Sequence, residues 1–474
     1  MTATQHADTA ATAGRSRSAT LAYAVSAMLV SYLPLSAVNG VLGTIGTAER
    51  ATTGQLQWVT DAFTVALTAS LMFGGPLAER HGRRRMTAGG LGLTTLGAVL
   101  GWLAGGLAGD DAVHLLWVGQ ATAGVGAGLV MSATLSLIAV TAPSVDARTR
   151  GIAIWAAGNV VGLGAGPFVA DLALRLAPGA DAWRWLFPPV GVLAVAVIAF
   201  GLSAAREVAT PDAPRPDLLG QAIASVGILA LVTGAIRAGS EGPTAPTIAV
   251  IAAGVLVLAA FLRRQQRVAA PVVRPALFAV PGFSAATGAA AMMLFTVIGV
   301  VFISSLTFAG QHVGSLGIAV RIGFLFLGNA VASVAAGPLQ ARFGPRVVRG
   351  AGLVVTVAGL LARWLTTGTE LAAVWWPLAL TGAGAGAVVA TGTAVALRSV
   401  PASSAGMAST AHNIVRQLGG ALGPAVVGGV YEARLAAGAD GTGAARTSTA
   451  VLLVLVLVTT AVVLTVLVRT RDAR

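Results

Sequence analysis

The feature that most constrains this chain is a succession of long apolar runs that do not alternate. They fall near 21–43, 55–77, 87–107, 113–140, 151–173, 184–204, 218–237, 246–262, 282–309, 314–337, 350–366, 372–397, 405–430 and 449–468. Most approach or exceed the roughly 20 residues that a helix needs to cross a bilayer; 246–262 is among the shortest. In hydrocarbon every backbone polar group must be satisfied within the protein, by helices or by a closed barrel. Barrel strands alternate with a period of two, and these runs do not. Only 10% of the 474 residues are charged and 56% are hydrophobic, where soluble domains are about a quarter charged. The mean hydropathy is +0.83. The chain reads as an all-α integral membrane protein with 14 transmembrane helices.

Missing residue types exclude some chemistry. There is no cysteine, hence no disulfide, thiol nucleophile or thiolate metal site. There is no lysine, hence no Walker A lysine for a P-loop ATPase. The five histidines are scattered and never take His-Glu-x-x-His spacing, so an intramembrane enzyme is disfavoured. The net charge of +13 raises the question of nucleic acid, and the positions of the arginines answer it. With both termini cytoplasmic, 21 arginines fall on the inner side and 7 on the outer, with Arg321 and Arg416 inside spans. That asymmetry follows the positive-inside rule. It reads as anchoring at an anionic leaflet, with no nucleic-acid partner. Residues 1–20 are polar and small, lack the apolar core of a cleaved signal peptide, and read as a disordered cytoplasmic tail.

The chain repeats itself. Gly75-Pro76-Leu77-Ala78-Glu79-Arg80-His81-Gly82-Arg83-Arg84 closes the second span, and Gly337-Pro338-Leu339-Gln340-Ala341-Arg342-Phe343-Gly344-Pro345-Arg346 closes the tenth, 262 residues later. Gly166-Pro167 in the fifth span recurs as Gly423-Pro424 in the thirteenth, 257 later. The expected organisation is a tail (1–20), a six-helix bundle (21–204), a linker with two extra transmembrane helices (205–280), a second six-helix bundle (281–468) and a short tail (469–474). Parallel halves around a midplane cavity describe an alternating-access transporter.

These motifs resemble the fourteen-helix drug–proton antiporter branch of the major facilitator superfamily, from the first span to the last. The Gly75–Arg85 segment is similar to that family's loop signature between helices two and three. By resemblance, Gly75, Glu79, Arg80, Arg83, Arg84, and Arg342 and Arg346 in the second copy, form a gate that latches the halves on the cytoplasmic side. The family usually has Asp at the place of Glu79. Gly158, Gly162, Gly164, Gly166 and Pro167 resemble its antiporter signature, and their spacing also serves close helix packing, as Gly423 and Pro424 would in the other half. Leu56-Gln57-Trp58 and Trp183-Arg184-Trp185 resemble its openings of spans two and six. Two positions depart. Pro34 stands where the first span usually carries an Asp, and Gln120 where the fourth usually carries an Arg. The resemblance links both places to proton handling.

Charge inside a bilayer is expensive, so each intramembrane ionisable residue is a functional candidate. Asp61 lies about 9 Å into the second span at helical rise, and Asp171 near the outer end of the fifth. Burial disfavours the charged form of a carboxylate, which suits a proton carrier. Both are proton-coupling candidates, with a structural ion pair as the alternative. Asn39, Gln120, Asn159, Arg321, Asn329 and Arg416 are the candidate substrate-cavity residues, or they bond neighbouring helices. His412 reads as incidental.

The resemblance implies proton-driven efflux of a hydrophobic small molecule such as a drug, antibiotic or secondary metabolite. A proton-coupled or facilitative importer is the alternative. Expected partners are the substrate, protons and the lipid bilayer. The expected location is the cell membrane as a multi-pass monomer. No catalytic residue, cofactor or metal is expected, the proton gradient being the driving force.

Overall fold

The computed structural model describes residues 3–177, 179, 181–209, 217–240, 242, 244–268, 271–369, 375–400 and 405–469. Fourteen α-helices and two short 3-10 turns, at Ala182–Leu186 and Pro275–Ala279, form the described chain. The helices are α1 (Ala3–Glu49), α2 (Thr53–His81), α3 (Arg83–Ala104), α4 (Gly109–Thr141), α5 (Val145–Leu176), α6 (Phe187–Ala204), α7 (Leu218–Ser240) and α8 (Ala245–Gln265). They continue with α9 (Pro281–Gly310), then α10 (315–343) and α11 (345–366) within Ser315–Thr366, α12 (Trp375–Arg398), α13 (Ala405–Ala436) and α14 (Gly441–Arg469). Eleven stretches are long and apolar enough to cross a membrane, α10 and α11 counting there as one. The protein is a multi-pass membrane protein. Many large apolar side chains are exposed, among them Leu176, Val334 and Leu256, as a lipid-facing surface allows.

Helix ends depart from the expected span ends in three places. Residues 3–20, read as a disordered tail, continue α1 as helix; their alanines favour that state. The short run 246–262 becomes α8 (Ala245–Gln265), one of the most apolar helices in the molecule. The loops at 78–86 and 338–349 shrink to single glycines. Gly82 (φ 101°) joins α2 to α3 and Gly344 (φ 80°) joins α10 to α11. A left-handed φ suits glycine, and the flanking Leu-Ala-Glu-Arg and Arg-Arg-Arg-Met are good helix formers. Residues 470–474 of the expected C-terminal tail, and most of the expected 205–217 linker, lie outside the described residues.

Backbone contact at glycine recurs between the halves. A methyl at Gly162 of α5 would overlap the Leu29 carbonyl of α1, and one at Gly419 of α13 would overlap that of Ala291 in α9. Position 291 is 262 beyond 29, and 419 is 257 beyond 162. Gly124 of α4 lies on the Phe63 carbonyl of α2, and Gly382 of α12 on that of Leu325 in α10, offsets of 258 and 262. A Cβ at Gly90 would sit 2.6 Å from Gly126 O, and one at Gly352 3.0 Å from Gly384 O. These three glycine contacts are therefore repeated in both halves.

The extra pair has its own place. Ala224, Ile228, Val232 and Ile236 of α7 form one apolar stripe against Val65 of α2 and Ala411, Ile414, Ala421 and Ala425 of α13. So α7 fills the groove between a first-half helix and a second-half helix, and α8 packs outside it. A clasp holds the pair at one end. Asp217 caps α7 by accepting from Gly220 N (3.0 Å) and receives Arg264 Nη2 (2.7 Å) and Gln265 Nε2 (3.0 Å). Gln265 Oε1 in turn accepts from Val272 N (2.7 Å). The Arg264 hydrogen bond leads in holding the Asp217 carboxyl below its usual range.

Two predictions follow from this packing. Gly162→Val or Gly419→Val should cost roughly 1–3 kcal/mol by overpacking, whereas Gly75→Ala and Gly337→Ala, with open space around them, should not; thermal unfolding of the purified protein in detergent measures both. A folded pKa below the unfolded one makes the Asp217 clasp stabilising above the unfolded carboxylate value, near 3.9. That stabilisation is lost as pH falls through the lower, folded value. Hydrogen exchange at the start of α7 should rise in that acid window, and Asp217→Asn should raise it already at neutral pH.

Candidate functional site

The two halves meet along three helix pairs, α1 with α9, α2 with α13 and α5 with α10. At the end away from the Gly82 and Gly344 corners, Gly43 of α1 lies directly against Ala309 of α9, and Gln57 of α2 against Gly428 of α13. At the corner end, Gly75 and Gly337 have open space around them. Between these ends is a cavity of about 20 Å³, room for about one water, lined by Tyr32, Thr64, Asn159, Arg416, Gln417 and apolar neighbours. Gln417 Nε2 donates to the Tyr32 hydroxyl across the halves at 3.1 Å. Tyr32 also stands edge-on to Phe63, with ring centroids 6.0 Å apart. Arg416 Nη2 donates to Asn413 Oδ1 at 3.0 Å.

Asp61 lies on α2 between Gln57 and Thr64, at helical spacing, so one stripe runs from the closed seam at Gly428 to the cavity. Its side chain is fully buried and neither carboxylate oxygen has a hydrogen-bond partner. No described arginine is within ion-pair distance of it. Asp171 differs. It is bound by Arg175 of the same helix at 2.9 Å, and that arginine is 60% exposed. This is an ion pair at the helix end, away from the cavity lining.

Of the six expected cavity residues, Asn159 and Arg416 line the cavity. Asn39 ties α1 to α2, donating to Leu35 O (2.8 Å) and accepting from Thr60 Oγ1 (3.3 Å). Arg321 donates to Gly317 O (2.8 Å) and lies over Phe308. The backbone carbonyl of Asn329 packs on Gly386 at the α10–α12 interface. Gln120 Nε2 points at the Pro34 carbonyl, 3.4 Å away. The two departures from the pattern that the sequence resembles are thus neighbours in space, joined through the Pro34 backbone carbonyl.

Sequence reading missed Tyr32, Thr64 and Gln417 in the cavity. Tyrosine and threonine are common in spans, and only the fold shows which face is inward. It also passed over His412. That ring is buried, with Nδ1 3.1 Å from Thr287 Oγ1 and Nε2 3.1 Å from Thr393 Oγ1. It pins α13 to α9 and α12.

At the α2–α3 corner, Arg83 Nε donates to Ser136 (2.7 Å) and Arg83 Nη1 to Val208 O (3.2 Å). Arg84 Nη1 donates to Ala205 O (3.2 Å). Glu207 caps α3, its two oxygens accepting from Arg84 N (3.0 Å) and Arg85 N (3.1 Å). These contacts lie within the first half or join it to the chain just after α6, and none reaches the second half. Glu79 and Arg80 make no described hydrogen bond or ion pair. Arg342 stacks on Phe343 in the second half, and Arg346 lies one turn before the buried Arg349. In the antiporter-like stretch, Gly158 faces Val25 O, while Gly166 lies against Ser36 and Ala37, and Pro167 against Gly40. In the other half Gly423 lies 2.5 Å, by its ideal Cβ, from Phe295 O, with Pro424 next to it in α13.

The sequence profile of the Major Facilitator Superfamily matches residues 18–424. The chain belongs to the major facilitator superfamily. It is similar to the multidrug resistance protein Stp of Mycobacterium tuberculosis (strain CDC 1551 / Oshkosh), with 30% identity over 390 residues, 81% of this chain and 70% of that protein. It is also similar to the cephamycin export protein CmcT of Amycolatopsis lactamdurans, with 31% identity over 387 residues, 78% and 76% of the two chains. Among solved structures, a bacterial homologue of the human lysosomal transporter Spinster superposes with a TM-score of 0.67 at 16% identity, covering 95% of this chain and 97% of that one. The fourteen helices in two like halves with an inserted pair therefore stand within a superfamily frame.

The neighbouring Pro34 and Gln120 make a testable pair. Gln120→Arg alone should destabilise the protein by about 3–5 kcal/mol, the cost of an uncompensated buried charge. Adding Pro34→Asp should recover most of that loss. A double-mutant cycle on thermal stability reads the coupling, and additive losses would show that the two sites do not interact.

Proposed function

We propose that the chain is a proton-driven exporter of hydrophobic small molecules in the cell membrane, working by alternating access. The observation that carries this reading is Asp61. It is the one described carboxylate that is fully buried with both oxygens unpartnered. A carboxylate held so is carried neutral, with its proton, and ionises only when water reaches it. The stripe from Gln57 through Asp61 to Thr64 connects it to the cavity where a substrate would sit. The relatives named for multidrug resistance and for cephamycin export support the outward direction.

In this reading the basic Gly82–Gly344 end and both termini are cytoplasmic, as the arginine asymmetry favours. The cavity is then sealed on the outer side by Gly43–Ala309 and Gln57–Gly428, and looser on the inner. Glu79 and Arg80, with Arg342 and Arg346 opposite, are placed to latch the inner side once the halves close there. Arg83 and Arg84 hold the corner in shape. Asp171 serves as a helix-end partner for Arg175. The protein works as a monomer, without a cofactor.

Inside-out vesicles energised by respiration, with a pH dye in the lumen, test this against a panel of lipophilic compounds. Substrate addition should evoke release of lumenal protons, and Asp61→Asn should abolish it while leaving the protein folded. Release that survives the substitution would put the carrier elsewhere. Substrate movement with no proton release would make the protein a facilitator.

A further inference from the structure

The central cavity presents donors and no acid. Tyr32, Asn159, Arg416 and Gln417 are its polar lining beside Thr64. Arg416 has five N–H groups, and the one described hydrogen bond takes Nη2 to Asn413. No described carboxylate is within ion-pair distance of it. Asn159 Nδ2 is buried without a partner. The Tyr32 hydroxyl accepts from Gln417 at 3.1 Å and lies 3.7 Å from the Met131 sulfur. Asp61 does not neutralise this arginine, because both its oxygens are unpartnered.

A guanidinium in a spanning helix is costly unless something negative meets it. Its planar fork matches a carboxylate in two parallel hydrogen bonds. Asn159 and Tyr32 supply further donors around the same space, and an ammonium ion would find no carboxylate in the lining. We propose, resting on the exporter reading, that the charged group of the substrate is an anion, a carboxylate or an ionised phenol or enol on an apolar body. Arg416 binds it, with Asn159 and Tyr32 completing its hydrogen bonds. The cavity has room for about one water in this state, so it must widen to admit the substrate, and its apolar lining, Leu35, Leu163, Leu294 and Ile298, would then meet the apolar body. Exchange of such an anion for an incoming proton moves charge inward twice, so the membrane potential drives it as well as the pH gradient.

The test uses matched probes on the full-length protein in a nonionic detergent: 2-naphthoate, the neutral 2-naphthamide and 2-naphthylmethylammonium, each with a larger tricyclic counterpart. The acids should raise the melting temperature saturably, and the amides and amines should not. Arg416→Gln should weaken acid binding tenfold or more, and Arg416→Lys should retain part of it. The ligand-free Arg416→Gln protein should melt no lower than wild type, which separates loss of binding from loss of fold. A shift by amines, equal acid binding in Arg416→Gln, or no saturable shift by any acid overturns the proposal.

An anionic phospholipid headgroup offers the same chemistry. Adding phosphatidylglycerol, in a second arm, should leave the acid shift in place; suppression of the shift assigns the arginine to lipid and overturns a substrate role. Proton release evoked in vesicles by neutral or cationic compounds, with acids inert, would leave the exporter reading standing and remove this one.

Discussion

The structure depends on backbone approaching backbone. Within a bilayer there is no difference in hydrophobicity between lipid tails and leucine side chains to drive helices together, so packing contacts must do it. Here they concentrate where glycine lets one helix lie on the carbonyls of the next: Gly162 on Leu29, Gly124 on Phe63, Gly90 on Gly126. The same three contacts recur in the second half at Gly419, Gly382 and Gly352. Close approach at glycine also joins the two units, at Gly43–Ala309, Gln57–Gly428 and Gly164–Phe326, beside the Gln417–Tyr32 hydrogen bond.

Buried charge is handled with the same economy. Where the antiporter branch that the sequence resembles usually carries an acid in the first span and an arginine in the fourth, this chain has Pro34 and Gln120, and the Gln120 amide points at the Pro34 carbonyl. Losing one partner of a buried pair strands the other, and a neutral pair leaves nothing to compensate. What remains is an unpaired acid, Asp61, and an arginine in the cavity, Arg416, with no ion pair joining them.

Much of this was legible in the sequence, for stated reasons. The apolar runs located fourteen helices because bilayer thickness fixes their length. The Gly-Pro-Leu copies gave the 262-residue offset because the corner glycine needs a left-handed φ in each half. Asp61 stood out because charge is rare at that depth. The loops around Gly82 and Gly344 did not show their compactness, because charged residues at a helix end look the same whether the helix stops or turns. Glu207 had no signal at all: its role comes from the chain folding back after α6 onto the start of α3. Arg321 and Asn329 were singled out for polarity alone, and polarity does not tell which way a helix faces. Tyr32 and Gln417 have the same limit in reverse, being unremarkable as residue types and decisive only where α1 meets α13.

The placement of α7 has a mechanical meaning. Its apolar stripe rests on α2 of one half and on α13 of the other, so it is a brace with a foot on each moving part. Any motion that separates α2 from α13 has to break the buried contact that Ala224, Ile228, Val232 and Ile236 make with one of them. Apolar side chains packed this closely lose many small dispersion contacts at once when they part, so the inserted pair sets a cost on that separation from outside the cavity.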